Sequence, residues 1–419
     1  MNKSVVIGIV GVAVCALAVW QSASIGIART RAIKALNWND VASAERAAQL
    51  LPGDAEVHAA RGVVLQRTES YADACRELER AIQLRPRDYF LWMMLGVTRD
   101  LNDDRPGGIA ALRESVRLAP FYARPRWFIG NLLLRMGQND AAFQHLRFAS
   151  ERDATLLPNV IDLAWGISEH DAAKTLALIQ PQTDAAHMNA AIFFAGREQS
   201  GAAFDQYQNV KSPALAASDQ LTQKLIESPA LAEAFDVWTR AHCPACKTES
   251  FVNGSFEDDA DVGNRMFGWQ IPADVSGLTL SVDTAEHADL TRSLRIDFHG
   301  NGNPQTVLVS QILIVQPNVR YRVSFQALTR SFVSAGNPVV RVVDASDQKL
   351  APLGEAVISS NATGWQKYAV DLAAGSNTHG VRVIVTRANC PNNSCAAFGT
   401  VWFDSFSLVR ASDPGVTTR

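Results

Sequence analysis

Apolar residues recur at helical spacing through the first half of the chain. Ala74, Leu78 and Ala81 fall on one face of a helix, and Leu112 and Val116 repeat the pattern further on. Small residues on such a face allow a neighbouring helix to approach closely. This half of the chain is therefore predicted to consist of packed amphipathic helices.

Two residue types in this region share a period of 34. The residues that keep this spacing are Pro52, Pro86 and Pro120, together with Gly62, Gly96 and Gly130. A fixed period of this length predicts repeated helical hairpins. Each proline is expected to follow the second helix of its unit, where it ends that helix before the next hairpin begins.

These features resemble the tetratricopeptide repeat, with clear units at 55–88, 89–122 and 123–156. The third unit carries Ala154 where the period predicts proline. Upstream, Ala47 and Pro52 fit the second helix of a degraded first unit. The resemblance implies a groove that binds a protein or peptide partner. Aromatic residues such as Phe90 and Trp92 are expected to pack within the array and not to contact a ligand.

Between about 157 and 240 the period is lost, although alanine- and leucine-rich stretches continue between prolines. We interpret this stretch as divergent units that extend and cap the helical array.

An uncharged apolar stretch opens the chain. No charged residue lies between Lys3 and Arg29, and residues 4–27 are long enough to span a membrane. The alternative is a cleaved secretory signal that ends at the small residues 16–18. We predict an uncleaved membrane anchor.

Two features of the sequence indicate opposite orientations of this anchor in the membrane. Arg29, Arg31 and Lys34 follow the apolar stretch, which by the positive-inside rule favours a cytoplasmic body. The cysteines of the C-terminal region favour an oxidising compartment. We predict a single-pass protein of the bacterial inner membrane with an extracytoplasmic body.

From about residue 243, alternating apolar residues separated by Gly, Asn and Pro replace the helical pattern. Seven predicted strands lie at 293–298, 306–315, 320–330, 339–343, 366–372, 381–386 and 400–409. Short strands at this spacing predict an antiparallel β-sandwich.

Four motifs in this region, in order, are typical of one family. They are VNGSFE at 252–257 with Gly-Trp at 268–269, PNVRYRVSFQA at 317–327, GWQKY at 364–368, and VWFDSFSL at 401–408. Together they resemble jelly-roll carbohydrate-binding modules of the glucan- and xylan-binding type. The resemblance implies the jelly-roll fold and binding of a polysaccharide.

The expected fold class is multidomain: an all-α tetratricopeptide-like repeat array followed by an all-β antiparallel jelly-roll sandwich, with an N-terminal transmembrane helix. The predicted domains are an anchor or signal at 1–28, repeats at 29–242, a sandwich at 243–411 and a flexible tail at 412–419.

The resemblance also implies a structural calcium where the first and last strands meet. Calcium takes six to eight oxygen ligands. Glu257 and Asp404 are the side-chain candidates, and Asn253 offers a backbone carbonyl. The alternative is a solvated acidic turn at 257–261.

Candidate carbohydrate-binding residues are His299, Gln311, Arg330 and Trp402, which offer an aromatic ring and hydrogen-bonding groups. No spacing rule selects them. Trp269, Tyr321 and Trp365 lie within the family motifs and are expected in the core.

Cys243, Cys246, Cys390 and Cys395 form two close pairs. Two local or two crossing disulfides, a four-thiolate zinc site and free thiols are all open. We favour disulfides. A thioredoxin-like redox pair is disfavoured because no βαβ pattern surrounds Cys243.

A formal net charge of -3 across 419 residues argues against a nucleic-acid partner. The sequence has no phosphate-binding glycine-lysine loop, G-x-S-x-G elbow or H-E-x-x-H pair. We therefore predict a non-enzymatic adaptor whose repeats bind a protein and whose sandwich binds a polysaccharide, accessory to envelope polysaccharide assembly or export. The alternatives are a purely protein-binding scaffold with a structural sandwich, or an unrecognised glycan-active enzyme.

Overall fold

A computed structural model describes residues 3–258, 266–272, 275–347, 350–360, 362–390 and 395–411. The chain divides into two compact units between Gln182 and Thr183. The helical array followed by a β-sandwich is confirmed. The predicted domain boundaries stay predictions, and the predicted tail at 412–419 lies outside the described residues.

The first unit is built from antiparallel helical hairpins. Its helices are α1 (Lys3–Trp38), α2 (Val41–Leu50), α3 (Ala55–Arg67), α4 (Tyr71–Leu84), α5 (Tyr89–Leu101), α6 (Arg105–Leu118), α7 (Ala123–Arg135), α8 (Asn139–Arg152), the 3₁₀ helix Ala154–Leu156, α9 (Leu157–Ile167) and α10 (Ala172–Ile179).

The periodic glycines lie where the two helices of a hairpin touch. A Cβ atom on Gly96 would lie 2.6 Å from the Cγ atom of Leu112 and 2.9 Å from the carbonyl oxygen of Gly108. Gly62 and Gly130 stand in the same relation to Leu78 and Leu146. The period of 34 therefore repeats one helix–helix contact, in which a larger side chain would separate the pair.

The periodic prolines lie in the turns between hairpins. Pro52 and Pro86 follow α2 and α4, and an aspartate two residues later begins the next helix. Asp54 accepts hydrogen bonds from the backbone N–H groups of Glu56 and Val57, which caps α3. After α8, where the proline is missing, the 3₁₀ helix takes the place of this turn.

Helix α1 runs without a break from the apolar stretch into the first hairpin. Ala28, Ala32 and Ala35 are buried against α2 and α3. The N-terminal part differs, because side chains such as Val12 and Trp20 are exposed. The stretch Ile9–Trp38 is long and apolar enough to cross a membrane, and a signal sequence near the N-terminus would pass the same test.

The second unit begins with four helices, α11 (Asp184–Ala195), α12 (Ser200–Gln208), α13 (Leu215–Glu227) and α14 (Leu231–His242). Among the described residues that follow are nine strands: β1 (Leu278–Asp283), β2 (Ser293–Asn301), β3 (Val309–Ile314), β4 (Arg320–Ser334), β5 (Pro338–Asp344), β6 (Pro352–Val357), β7 (Gln366–Ala373), β8 (Gly380–Arg387) and β9 (Ala396–Arg410).

The strands form two antiparallel sheets, ordered β1-β2-β9-β4-β7 and β3-β8-β5-β6. All seven predicted strands are present, with ends displaced by up to four residues. The edge strands β1 and β6 escaped prediction; β6 contains a proline and a glycine, which weaken the strand pattern.

The opening motif lies beside the last strand, as the jelly-roll resemblance implies. The N–H group of Phe406 donates to the carbonyl oxygen of Gly254 at 2.9 Å. The Trp269 ring lies 5.0 Å from both the Phe256 and the Phe406 rings, measured between centroids. Trp269 and Tyr321 are buried, as predicted, whereas Trp365 is only half-buried.

Strands β3, β8 and β5 of the four-stranded sheet are largely buried on both faces, whereas the edge strand β6 is partly exposed. Val340 and Val383 point into the sandwich core, and Ile312 and Ile384 are buried on the opposite side. Helix α14 lies on that opposite side, because a Cβ atom on Gly380 of β8 would lie 2.5 Å from Leu231.

Candidate functional site

The outward side of the five-stranded sheet collects charged and aromatic side chains. We call it the outer face and define it by Asp283, Arg295, Asp297, His299, Arg330, Phe398, Thr400 and Trp402. Strands β2, β9 and β4 are neighbours, and their register pairs Arg295 with Trp402, His299 with Phe398, and Arg330 with Thr400. Alternation along each strand places the residues between them in the core.

Three of the four predicted carbohydrate-binding residues, His299, Arg330 and Trp402, lie together on this face. The fourth, Gln311, lies on β3 of the other sheet and is fully buried. Its amide oxygen accepts from the N–H group of Val252 at 3.0 Å, and its Nε2 donates to the Val252 carbonyl at 2.9 Å. Gln311 therefore fastens the opening segment to the sandwich, away from any surface that a sugar could reach.

Trp402 is only 3% exposed although its side chain belongs to the outer face. The guanidinium carbons of Arg295 and Arg330 lie 5.5 and 5.4 Å from the centre of its ring. Its Nε1 donates to Asp283 at 2.8 Å. Cation–π contact with two arginines covers the indole, so Trp402 organises the face and offers no open stacking surface.

The two aspartates beside Trp402 are stabilised as carboxylates. Arg295 donates to Asp297 at 2.8 Å, and the Thr400 hydroxyl donates to the same carboxylate at 2.7 Å. Burial acts to raise the pKa of Asp283 and of Asp297, but hydrogen bonds and the charge of Arg295 outweigh it. Both pKa values therefore lie below the usual range, opposite to the raised pKa of a carboxylic acid that donates a proton in glycoside hydrolysis.

Phe398 is the exposed aromatic residue of the face. Its side chain is 53% exposed, and its ring lies beside Gly300 of β2, at 3.8 Å from where a Cβ atom would stand. His299 and Val333 flank it on the neighbouring strands, and both are exposed. An exposed ring between hydrogen-bonding groups can stack on the apolar side of a sugar.

The sequence contained a signal for Phe398 that the prediction missed. Alternation backwards from the buried Phe403 points Trp402, Thr400 and Phe398 outward. The predicted strand began at residue 400, whereas β9 begins at Ala396.

Glu257 and Asp404, the predicted calcium ligands, hold one loop between β1 and β2. Asp404 is fully buried and accepts from the N–H groups of Ala288 and Asp289 at 2.8 and 3.0 Å. Glu257 accepts from the N–H groups of Thr291 and Arg292, both at 2.9 Å.

The pKa values of these two carboxyls move in opposite directions. Burial raises the pKa of Asp404, and the hydrogen bonds from Asp289 and Ala288 offset part of that effect. The hydroxyl of Thr291, followed by backbone N–H groups, lowers the pKa of Glu257.

The surroundings of the predicted calcium ligands are rich in N–H donors. The Asn253 carbonyl accepts from Trp269 Nε1 and from the N–H group of Phe256. Within the described residues, no three His, Cys, Asp or Glu side chains are grouped to hold a metal ion. These donors do not match the oxygen shell that calcium prefers. The calcium site stays a prediction, and residues 259–261 of the alternative acidic turn lie outside the described residues.

The four cysteines of the C-terminal region pair locally. Cys243 lies at disulfide distance from Cys246, and Cys390 from Cys395. The first pair follows the end of α14, and the second precedes β9. These distances correspond to two local disulfides, one of the arrangements that the sequence left open.

The first unit contains a groove of about 540 Å³ across the first helices of three successive hairpins. Its apolar lining includes Ile33 and Leu36 of α1, Ala59 and Val63 of α3, and Phe90 and Met94 of α5. Phe90 is exposed, which corrects its assignment to packing.

Ion pairs border this groove. Arg29 pairs with Asp54 at 2.9 Å, and Arg85 pairs with Glu56 at 3.0 Å. An apolar floor with a charged rim is suited to the apolar side of a peptide or helix.

No protein-family model matches the sequence, and no curated protein matches it. Among solved structures, a crystal structure of the MamA protein is 15% identical to this chain, with a TM-score of 0.29. The match covers 49% of this chain and 94% of MamA. MamA 41-end from Desulfovibrio magneticus RS-1 is 23% identical, with 72% of it and 30% of this chain covered, at a TM-score of 0.28.

A CBM4 structure is 14% identical, with 99% of it and 38% of this chain covered, at a TM-score of 0.29. Likenesses with TM-scores this low carry no argument about function.

Proposed function

We propose that this protein is a non-enzymatic, membrane-anchored adaptor, accessory to the assembly or export of an envelope polysaccharide. Helix α1 holds it in the membrane, the groove of the first unit binds a protein partner, and the outer face binds a polysaccharide. Binding both partners at one membrane raises the effective concentration of each for the other.

The observation that carries the proposal is Phe398. It is an exposed aromatic ring in the middle of a sheet, beside His299 and one residue pair away from Thr400 and Arg330. This combination of a stacking surface with hydrogen-bonding groups is what a neutral sugar ring requires.

Anchoring by α1 is supported by its exposed apolar side chains and by its continuity with the buried Ala28, Ala32 and Ala35. Cleavage after residue 18 would leave Val19, Trp20 and the following apolar residues on the surface of the first hairpin. Such a surface is unfavourable in water, so an uncleaved helix suits the fold better. A C-terminal alkaline phosphatase fusion tests the orientation, and an inactive fusion would contradict an extracytoplasmic body.

The sugar-binding part is tested with the full chain in detergent on an array of polysaccharides. We expect Phe398→Ala to lower the affinity for the bound polysaccharide about tenfold, which is about 1.4 kcal/mol. Phe121→Ala is the matched control, because Phe121 is also exposed but lies in the first unit. Equal retention of both variants would contradict the assignment of the outer face.

A purely protein-binding scaffold is the second candidate, and the covered indole of Trp402 favours it. Two arginines occupy the ring surface that a sugar would otherwise use. If the wild-type protein is retained on no polysaccharide, while a partner still binds in the groove, this second function replaces the first.

A further inference from the structure

A cavity of the sandwich lies at the end of the two sheets. This end cleft has a volume of about 940 Å³, and ligand sites usually measure about 300–1,000 Å³. Its walls are the segment 302–306 after β2, residues 389–390 after β8, Cys395 before β9, and residues 275–276. All of these segments belong to the second unit.

The described lining of the end cleft is polar but uncharged. Its side chains include the amides of Asn303, Gln305 and Asn389 and the hydroxyls of Ser276 and Thr306. Amides and hydroxyls can both donate to and accept from the hydroxyl groups of a saccharide.

The walls of the end cleft are joined to each other. Gln305 Nε2 donates to Asn389 Oδ1 at 2.9 Å, and the Thr386 hydroxyl donates to the carbonyls of Pro304 and Thr306 at 3.0 Å. These bonds hold the lining in place before a ligand arrives, which lowers the entropic cost of binding.

A buried arginine lies directly behind this lining. Arg387 is 3% exposed, and its Nη2 donates to the carbonyls of Gly302 at 2.8 Å and Cys395 at 3.0 Å. Both residues form part of the cleft wall. Burial lowers the pKa of Arg387, but a guanidinium stays protonated in proteins.

The charge of Arg387 is balanced by uncharged groups, and they include the Phe298 ring, whose centre lies 5.7 Å from the guanidinium carbon. Its hydrogen bonds go to backbone carbonyls, to the Ser334 hydroxyl and to the sulfur of Cys395, and none of the described carboxylates contacts it. A buried cation that no described carboxylate contacts, beside a cleft whose described lining carries no charge, attracts negative charge, because the surrounding protein screens it weakly.

We propose that the end cleft binds an acidic saccharide, one that carries a carboxylate such as a uronic acid unit. It is a site separate from the outer face. The choice of a saccharide rests on the proposed function and on the amide lining, whereas the choice of an acidic one rests on Arg387.

The test measures binding of tri-galacturonic acid and of cellotriose, a neutral probe of equal length, to the full chain by calorimetry. The charge in the cleft is changed with Gln305→Glu and Gln305→Lys, since Gln305 is exposed and its replacement leaves the core intact. Gln366→Glu, on exposed β7, is the matched control.

We expect Gln305→Glu to weaken binding of the acidic probe about tenfold, as a unit charge about 10 Å away at an effective dielectric near 20 would do. Gln305→Lys should strengthen it, Gln366→Glu should leave it unchanged, and added salt should reduce all of these differences. Phe398→Ala should leave binding of the acidic probe intact.

Equal effects of the glutamate and lysine variants, or tighter binding of cellotriose than of the acidic probe, would overturn the proposal. Loss of acidic-probe binding in Phe398→Ala, with no effect at Gln305, would place that ligand on the outer face; the end-cleft proposal would then fail while the proposed function stands. If neither probe binds but polysaccharide is still retained on the array, the end-cleft proposal alone is overturned.

Discussion

The two sheets of the sandwich differ in what lies on their outward sides. Every residue of β3 in the four-stranded sheet is buried, whereas β7 in the five-stranded sheet alternates between buried and exposed positions. Helix α14 packs against β3 and β8 on the outward side of the first sheet, and the second sheet presents its outer face to solvent. The helices of the second unit therefore leave the sandwich one broad sheet surface for binding.

The largest effect is expected where α14 packs on the segment 266–272, which pairs with β3 of the four-stranded sheet through Gln270 and Ser310. Trp238 is buried, and its ring lies 5.8 Å from that of Phe267, centroid to centroid. Trp238→Ala should cost about 3–5 kcal/mol in the free energy of unfolding, because it removes a large buried side chain and leaves a cavity.

Hydrogen exchange of the full chain measures this effect locally, and we expect amides of β3 and β8 to lose protection. If both strands keep the wild-type level of protection, α14 does not stabilise this sheet. The difference between the two sheets described above would then be wrong.

The next largest effect is expected at Asp404, which ties the loop at 288–289 to the five-stranded sheet. Asp404→Asn should cost about 1–3 kcal/mol. Oδ2 accepts from Ala288 and Asp289 and Oδ1 accepts from Ser405, and an amide replaces one of these two acceptor atoms with an NH₂ donor. Urea unfolding of the two proteins at neutral pH gives the difference, and Asp258→Asn is a control on an exposed carboxylate.

The sign of a pH dependence follows from the raised pKa of Asp404. The folded protein holds this proton more tightly than the unfolded chain, so the group's contribution to stability is present at low pH and lost as pH rises through the folded pKa. Asp404→Asn should lack this loss. An identical pH dependence in wild type and variant between pH 3 and 7 (roughly the range of carboxyl titration) would contradict the assignment.

A smaller effect is expected on the outer face itself. Arg295→Gln removes the ion pair with Asp297 and the cation–π contact of Arg295 with the Trp402 ring. Because Arg295 is partly exposed, both contacts are weak. The cost should be about 0–1 kcal/mol. Acid should destabilise the wild type more than the variant, because the lowered pKa of Asp297 contributes stability that is lost as pH falls. Urea unfolding at pH 3 and pH 7 measures this difference. If the variant loses more unfolding free energy at pH 3 than the wild type does, the ion pair of Arg295 with Asp297 does not stabilise the fold.

The smallest effect on stability is expected for Phe398→Ala, within about 0.5 kcal/mol, because the ring is more than half exposed. Its effect on polysaccharide binding should nevertheless be the largest of these variants. A Phe398→Ala protein that unfolds as readily as Trp238→Ala would place Phe398 in the packing of the sheet and remove it from the binding surface.

Much of the architecture could be predicted because it follows from local periodicity. The glycines at 62, 96 and 130 recur because one helix contact recurs. The alternating strands were located because one side of each faces the core. The strand β6 was missed because Pro352 and Gly354 interrupt its alternation.

The candidate site was predicted only in part. His299, Arg330 and Trp402 were named from their residue types, and they lie on one face because β2, β9 and β4 are adjacent. Gln311 has the same chemistry, yet it is buried because the opening segment at Val252 folds over β3. Residue type alone could not distinguish these cases.

The sequence by itself determined the repeated helical hairpins, the strands of the sandwich and the apolar character of α1, since each depends on residues close together in the chain. Only the tertiary structure decided which sheet face stays open, that arginines cover Trp402, and that Arg387 lies behind a cleft whose described lining is uncharged. Arg295 and Trp402 are 107 residues apart in the chain and meet only through the pairing of β2 with β9. Long-range strand register, which no local pattern encodes, sets the surroundings of every side chain at these sites.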